Sequence, residues 1–496
     1  MSDHDPISLF LRAAAAYPER PALAVAGTTW TYAELHDRSD RLAAGLLDAG
    51  AQGRRVAFVA RRDGPWAYAA VLGILKAGGS CVPLHPDGPG DRWQLMLERC
   101  EAQVGLVQEP GAGPEPDLMA ANGAMRWLTG RQAPLSAPLP ARVPRPEDEA
   151  YVMFTSGSTG GPKGVGVSRG NLAAYLAHLP PMYPFGPDDR FTQLFALPFD
   201  LSMHDMFVCW ASGACLCVPP VDGGLRAAAW ARDEGITVWF SVPSLAGVMR
   251  RMRALSPGSL PALRFAFFCG EALPWELVND WQRAAPHARI INLYGPTEAT
   301  IAITAHEVRP DAMETTGLVP IGRPIGTDRA EVLPMDGLPH GEGELVLCGP
   351  QVTTGYINAP PATERAFVRL PGRDGLWYRT GDHVRQGPDG VLHYVGRIDH
   401  QVKVLGHRVE PGEVDEALMR ALDGGNAVTV AAVVHGTARL FSFIDVPADV
   451  NALMERLRAE LPAPFVPERI TVLDQLPRNA NGKWDRPRLM QIAHEG

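Results

Sequence analysis

The sequence has no excess of positive charge and no basic stripe of the kind that binds nucleic acid. Lys and Arg number 46 against 55 Asp and Glu, so the net charge is −9 over 496 residues. A hydrophobic fraction of 46% and a charged fraction of 20% are ordinary for a globular enzyme. We therefore expect no nucleic-acid partner.

A leader segment, a long apolar run and a cysteine framework are also missing. The first residues, from Met1 to Pro6, are acidic, and no basic segment leads into an apolar stretch. This predicts no signal peptide, no membrane partner and a cytoplasmic location. Seven scattered cysteines argue against paired disulfides, and Cys215 and Cys217 are expected in a buried strand rather than in a metal site.

Helical and strand patterns alternate along the chain, which predicts α/β layers. The length is too great for one core, so at least two domains are expected. The pattern predicts a helix over Trp66–Lys76 and, near the end, a helix over Val450–Glu460 with Asp449 as its cap. We expect a large N-terminal domain of layered α/β subdomains over 1–398 and a small, mobile α+β domain over 399–496.

An apolar strand followed by a loop of hydroxyls and glycines is the most informative local feature. The segment runs from Tyr151 to Val165, and Ser156, Ser158 and Thr159 supply hydroxyls. Glycines let backbone N–H groups share one concavity, so the loop is expected to hold the phosphates of a nucleotide. A solvated connection is the alternative for such a loop taken alone.

A Walker-type phosphate loop fits this segment poorly. That motif requires Gly-Lys followed by Ser or Thr, whereas Pro162 precedes Lys163 and Gly164 follows it. Proline removes one N–H from the cradle, and no hydroxyl follows the lysine to hold magnesium.

A series of motifs in fixed order resembles the ANL superfamily of adenylate-forming enzymes, and within it the free-standing amino-acid adenylation domains of non-ribosomal peptide synthesis. Any one motif is weak evidence, but the ordered set covers almost the whole chain. Beside the phosphate loop, the matching segments span residues 30–35, 75–83, 199–202, 292–298, 343–349, 378–382, 396–403, 461–467 and 481–486.

The resemblance implies ATP-dependent activation of a carboxylate, with magnesium and with release of pyrophosphate. The phosphate loop would hold the β- and γ-phosphates, Tyr294 would stack on adenine, and Asp382 would accept the ribose hydroxyls. Glu298 would help to hold Mg²⁺, with Thr297 near the α-phosphate. The implied ATP contacts are Thr155, Ser156, Gly157, Ser158, Thr159, Lys163, Gly270, Glu271, Ala272, Asn292, Tyr294, Gly295, Asp382 and Arg397.

The resemblance also assigns the catalytic cation and a hinge to the C-terminal part. Lys483 would bridge the carboxylate and the phosphate in the transition state. The small domain would rotate about Asp399 between the two half-reactions, which takes Lys483 out of the site. Leu405 departs from the family pattern, which often has a basic residue there, so any contact of that side chain is in doubt.

Asp200 indicates that the activated acid carries an amino group. In the amino-acid-activating members a carboxylate at this place pairs with the substrate's ammonium group, and a buried carboxylate without a partner would be costly. A turn or capping aspartate is the alternative. The remaining expected pocket residues offer no second charge, which is typical of pockets for small amino acids, with cysteine or serine favoured over alanine, proline or valine. These expected pocket residues are Leu201, His204, Ser241, Phe267, Cys269, Leu293, Ile301 and Ala302.

No carrier domain follows the lysine segment, so the resemblance implies a separate peptidyl carrier protein. Its phosphopantetheine thiol would accept the amino acid, in antibiotic or other secondary-metabolite biosynthesis, and a small accessory protein is admitted as a further partner. Two alternatives stay open at this point. One is an acyl- or aryl-CoA ligase of the same superfamily, and the other is an inactive nucleotide-binding scaffold.

Overall fold

The structure is a computed structural model. It describes residues 3–59, 61–108, 125–129, 139, 144–156, 161–220, 223–309, 311, 313–399, 401–422, 424–434, 437–478 and 484–495. None of the helices in these ranges has the length and apolar character needed to cross a lipid bilayer.

Two large sheets organise the N-terminal part. The first contains β3 (Arg55–Val59), β4 (Ser80–Leu84), β5 (Val104–Val107), β6 (Arg126–Thr129), β7 (Glu149–Thr155) and β8 (Lys163–Ser168) in the order β6-β5-β3-β4-β7-β8. The second contains β1 (Pro21–Val25), β2 (Thr28–Thr31), β9 (Arg190–Thr192), β10 (Cys215–Val218), β11 (Val238–Ser241), β12 (Phe265–Phe268), β13 (Arg289–Tyr294), β14 (Thr304–Val308) and β15 (Arg323–Pro324). Its order is β15-β14-β13-β12-β11-β9-β10-β1-β2.

Helices separate and cover these sheets. They are α1 (Pro6–Ala16), α2 (Tyr32–Asp48), α3 (Trp66–Lys76), α4 (Gly90–Arg99), α5 (Arg169–His178), α6 (Leu201–Ala211), α7 (Gly223–Asp233), α8 (Pro243–Arg251), α9 (Trp275–Ala284) and α10 (Pro360–Ala366). The largest core contains residues of both sheets together with α2, α3 and α6, and burial of this apolar surface drives the layered packing.

A third, antiparallel sheet completes the N-terminal part. It consists of β16 (Arg329–Pro334), β17 (Glu342–Cys348), β18 (Phe367–Val368), β19 (Trp377–Gln386) and β20 (Leu392–Arg397). The small C-terminal unit follows, with α11 (Pro411–Ala421), α12 (Val450–Glu460) and α13 (Arg486–Glu495) beside β21 (Val402–Val404), β22 (His407–Val409), β23 (Ala427–Val434), β24 (Thr437–Ile444) and β25 (Arg469–Val472).

The predicted α/β architecture with a large N-terminal and a smaller C-terminal unit is confirmed. The expected boundary at Asp399 falls between β20 and the hairpin formed by β21 and β22. Cys215 and Cys217 lie in the buried strand β10, as expected. Strands β11, β12 and β13 run parallel to one another. Residues at or just after the carboxyl ends of these strands, and of β7 in the neighbouring sheet, line the cleft that contains the predicted site residues.

Candidate active site

A cleft of about 1380 Å³ lies between the N-terminal part and the small C-terminal unit. Side chains from the ends of β7 and β13, from the start of α6 and from the hairpin β21–β22 line it. Many predicted site residues border this cleft, namely Thr155, Ser156, Asp200, Leu201, Gly270, Glu271, Ala272, Asn292, Leu293, Tyr294, Gly295, Thr297, Asp382, Arg397 and the predicted hinge residue Asp399. Gly157, Ser158, Thr159 and Lys483 lie outside the described residues.

Asp200 presents a buried carboxylate to the cleft. It immediately precedes α6, it is 7% exposed, and its Oδ2 atom has no hydrogen-bond partner among the described residues. Burial raises the pKa of Asp200 to about 6, although hydrogen bonds with Thr297 and the Ile301 backbone oppose that shift. Such a carboxylate is suited to a cationic ligand group, because pairing would satisfy a polar atom that is otherwise costly to bury.

Aromatic rings pack together beside the part of α6 that follows Asp200. His204, on the turn of α6 that follows Asp200, forms a 2.6 Å hydrogen bond between its Nδ1 and the hydroxyl of Tyr175. Its ring centroid lies 4.3 Å from Phe240 and 5.7 Å from Phe267. Burial lowers the pKa of His204 to about 3, so the ring is neutral. His204 is therefore a buried, neutral ring that packs between Tyr175 and Phe240.

The other predicted pocket residues occupy three different environments. Leu201 and Leu293 line the cleft, while Cys269, Ile301 and Ala302 are fully buried in the same core as Phe267. Ser241 differs, because its hydroxyl accepts a 2.8 Å hydrogen bond from Trp239 Nε1 and borders a separate pocket of about 150 Å³.

Phe240, which the sequence analysis did not single out, packs against the ring of His204. Neighbouring side chains in a strand point to opposite faces, so Phe240 shares the His204 face of β11 while Ser241 shares the face of Trp239. The alternation of β11 against β12, with Phe240 opposite Phe267, was the signal that would have identified it.

Asp382 forms a hydrogen-bonded cluster at the side of the cleft where the sequence predicted the nucleoside. Asp382 accepts from the Tyr294 hydroxyl at 2.5 Å and from Arg397 at 2.8 Å. Asn292 donates to the Pro320 carbonyl at 2.9 Å, which fixes the strand end beside Tyr294. The structure therefore brings Tyr294, Asp382 and Arg397 together as the sequence predicted.

The phosphate side is occupied by the protein's own hairpin, β21–β22. Ser156 donates its hydroxyl to the Arg408 carbonyl at 2.8 Å, and Gly406 donates its N–H to Glu271 at 2.5 Å. The ring of His407 meets Phe199 edge-on at 4.3 Å. The hairpin thus lies against Ser156, Glu271 and Phe199 at this side of the cleft.

Glu298 lies fully buried at the base of that hairpin. Its carboxylate accepts from Arg408 at 3.1 and 3.2 Å and from the Tyr356 hydroxyl at 2.7 Å. Burial alone would raise the pKa of Glu298, but the charge of Arg408 and the hydrogen bond from Tyr356 hold it below its ordinary value. Lys163 lies nearby, with its Nζ 5.4 Å from the Tyr356 ring centroid.

These groups fit the predicted magnesium ion. Glu298 is an ionised oxygen donor at the phosphate side, and Arg408 already places a positive charge against it, so the pocket tolerates a cation. Glu298 would hold Mg²⁺ once Arg408 had left. When bound, that ion neutralises phosphate charge and the leaving pyrophosphate.

Comparison with known proteins matches this geometry to a family. Residues 10–357 match the protein family described as "AMP-binding enzyme". The chain belongs to that family. The predicted resemblance to adenylation domains of non-ribosomal peptide synthesis is confirmed, and with it the class of ATP-dependent, adenylate-forming enzymes.

Relatives of this adenylation enzyme are parts of peptide synthetases or separate domains. It is 37% identical over 490 residues to CymA of Salinispora arenicola, a probable nonribosomal peptide synthetase, covering 97% of this chain and 6% of that protein. The Vibrio cholerae adenylation domain AlmE, solved with glycyl-adenosine-5'-phosphate, is 31% identical with a TM-score of 0.86 over 99% of this chain and 98% of that chain.

A further neighbour of the adenylation enzyme contains a carrier domain. Holo-PA1221, an NRPS protein containing adenylation and PCP domains, is 26% identical with a TM-score of 0.83, covering 98% of this chain and 84% of that chain. The chain thus spans a small fraction of CymA and most of AlmE and PA1221.

Proposed function

We propose that this adenylation enzyme activates a small α-amino acid as aminoacyl-AMP and then transfers it to the phosphopantetheine thiol of a separate carrier protein. The single observation that carries the proposal is the buried Oδ2 of Asp200 at the cleft, which has no hydrogen-bond partner within the described ranges of the chain. An α-ammonium group would pair with it, whereas an acid without an amino group would leave it unsatisfied.

The size of the acid follows from the rings behind Asp200. Phe240, Phe267 and the neutral His204 pack against one another, and His204 is held by Tyr175. A side chain longer than a few atoms would have to displace these buried rings, and well-packed aromatics resist such displacement. The glycyl adenylate carried by AlmE agrees with a small substrate.

The first half-reaction joins two anions. A carboxylate oxygen of the amino acid attacks the α-phosphorus, the bond to the β-phosphate oxygen breaks, and pyrophosphate leaves. Asp200 would orient the ammonium group, Tyr294 and Asp382 would hold the nucleoside, and Lys163 would face the phosphates. Lys483 would supply the transition-state cation, as predicted from the sequence.

The second half-reaction uses the arrangement in which the hairpin is docked. The thiol releases its proton to solvent, its sulfur attacks the acyl carbon, and the bond from that carbon to the phosphate oxygen breaks so that AMP leaves with the bonding electrons. Arg408 holds Glu298 in this arrangement, so magnesium and Arg408 would occupy the carboxylate in turn. Rotation about Asp399 would exchange them, which agrees with the predicted swing of the small domain.

The deciding experiment is pyrophosphate exchange with ATP and magnesium across glycine, the proteinogenic amino acids and a few fatty and aryl acids. We expect a response to small α-amino acids only. A response confined to acids without an amino group would contradict the proposal and favour a CoA ligase. Silence with every acid, given ATP binding, would favour a scaffold.

A further inference from the structure

Besides Arg408 and Glu298, a second buried ion pair joins the N-terminal part to the small C-terminal unit, and its arginine borders the same cleft. Arg92, in α4, lies 2.5 Å from Glu413, in the first turn of α11, and their side chains are 15% and 6% exposed. The Arg92 guanidinium also faces the ring of Phe465, 5.3 Å from its centroid. These contacts join residues on opposite sides of the proposed hinge.

The partners of Arg92 belong to the same compact body as the hairpin β21–β22. Val404 and Val409, from the hairpin, share one hydrophobic core with Val414 of α11 and with Phe465. A close-packed core of this kind moves as a unit. A contact that fixes Glu413 and Phe465 therefore also fixes the hairpin in the cleft.

We propose that Arg92 and Glu413 form a latch that holds the hairpin docked for transfer to the thiol. The inference rests on the proposed transfer reaction. Rotation about Asp399 has to separate the pair, because Arg92 stays with the N-terminal part while Glu413 leaves with α11. Both would be positioning residues that act through the hairpin, since Arg92 borders the cleft but contacts Glu413 and Phe465.

The physical basis is the cost of an unpaired buried charge. The second Glu413 oxygen, Oε2, has no partner among the described residues, so Arg92 supplies the charge that compensates this carboxylate. Removing one member of such a pair is strongly destabilising to the state that buries the other. The docked arrangement should therefore lose population while each domain keeps its own core.

Hydrogen exchange of the full chain, without any ligand, tests the latch directly. In Glu413→Gln and in Arg92→Met we expect amide exchange of residues 402–409 to rise about tenfold relative to wild type. Arg420→Gln is the matched control, because Arg420 also lies in α11 but pairs with Glu460 inside the same unit. It should leave hairpin exchange unchanged.

A charge swap distinguishes the latch from general damage to the fold. Arg92→Glu combined with Glu413→Arg should restore part of the lost protection, whereas each reversal alone should not. Unchanged hairpin exchange in both Glu413→Gln and Arg92→Met would overturn the proposal. So would an increase that spreads equally through α11 and α12.

The half-reactions give a second readout. With pantetheine as the thiol probe, consumption of preformed aminoacyl-AMP should fall about tenfold in Glu413→Gln, while amino-acid-dependent pyrophosphate exchange is retained. Equal losses in both half-reactions would overturn the latch as a device for transfer. If wild type shows no amino-acid-dependent exchange, the proposed function fails, and hydrogen exchange still decides whether the latch exists.

Discussion

The two ends of the cleft differ in how they are built. At the end beside Asp200, one carboxylate oxygen has no hydrogen-bond partner in the part of the chain that the structure describes, and the rings of His204, Phe240 and Phe267 pack against one another nearby. At the end beside Glu298, Arg408 from the C-terminal unit pairs with the buried carboxylate. The proposed function makes the first end, which would hold the acid, preformed, and makes the second end, which would hold the phosphates, depend on the position of the C-terminal unit.

This difference separates recognition from progress of the reaction. Under the proposed function, a rigid wall would select the amino acid by size and charge without any motion. A carboxylate that alternated between Arg408 and a metal ion would instead report which half-reaction the enzyme is ready for. Substitutions at the acid end should change which substrate is used, and those at the phosphate end should change which step proceeds.

Loss of the Asp200 charge should have the largest effect. In Asp200→Asn we expect amino-acid-dependent pyrophosphate exchange to fall by about 1,000-fold, because the substrate ammonium is left buried without a counter-charge. Asp205→Asn is the matched control, since Asp205 is a fully buried carboxyl on the same helix that does not border the cleft. Similar losses in both variants would contradict a recognition role for Asp200.

Neutralising Glu298 should have the next largest effect, and it tests the phosphate end. Glu298→Gln should lower adenylate formation by about 100-fold and raise the magnesium concentration needed for half-maximal rate, because an anionic metal ligand is lost. The magnesium titration of pyrophosphate exchange measures both. An unchanged magnesium requirement would contradict the assignment of Glu298 as a metal ligand.

Opening the wall should change selectivity more than rate. Phe240→Ala should increase the use of larger aliphatic amino acids relative to the preferred small one by about tenfold, because a cavity replaces the ring beside His204. Phe268→Ala is the matched control, since Phe268 lies in β12 but packs on the opposite face against Trp281. The ratio of kcat/KM values measures the shift, and equal ratios in the two variants would remove Phe240 from the wall.

Local periodicity predicted the elements well. The helix predicted over Trp66–Lys76 has those ends in the structure, and Asp449 caps α12 by accepting from the N–H groups of Asn451 and Ala452. These features depend on neighbours in sequence, through apolar spacing and short-range hydrogen bonds. They are therefore readable without knowing the rest of the fold.

Contacts between distant segments were not readable in the same way. Motif order predicted that Tyr294, Asp382 and Arg397 would meet, but it gave no reason to pair Glu298 with Arg408, more than a hundred positions later. Spacing from the motifs placed Ser241 in the pocket, but spacing alone does not fix which face of a strand a residue occupies, because a one-residue offset reverses the face. Both depend on tertiary packing, which determines what each side chain meets.

Acidification should have the smallest effect near neutral pH, and it examines Asp200, whose pKa is raised by burial and also by the charge of Glu298 and is lowered by that of Lys403. Burial raises the pKa of Asp200 to about 6, so lowering the pH protonates the carboxylate that must pair with the ammonium group. We expect kcat/KM for the amino acid to fall about twofold at pH 6 and about tenfold at pH 5. Burial lowers the pKa of His204 to about 3 and that of His407 to about 4, so neither ring titrates in this range.

Asp328 is the control, because burial also raises its pKa to about 6 and it does not border the cleft. The acid limb should persist in Asp328→Asn, and a limb that disappears there would transfer the titration away from Asp200.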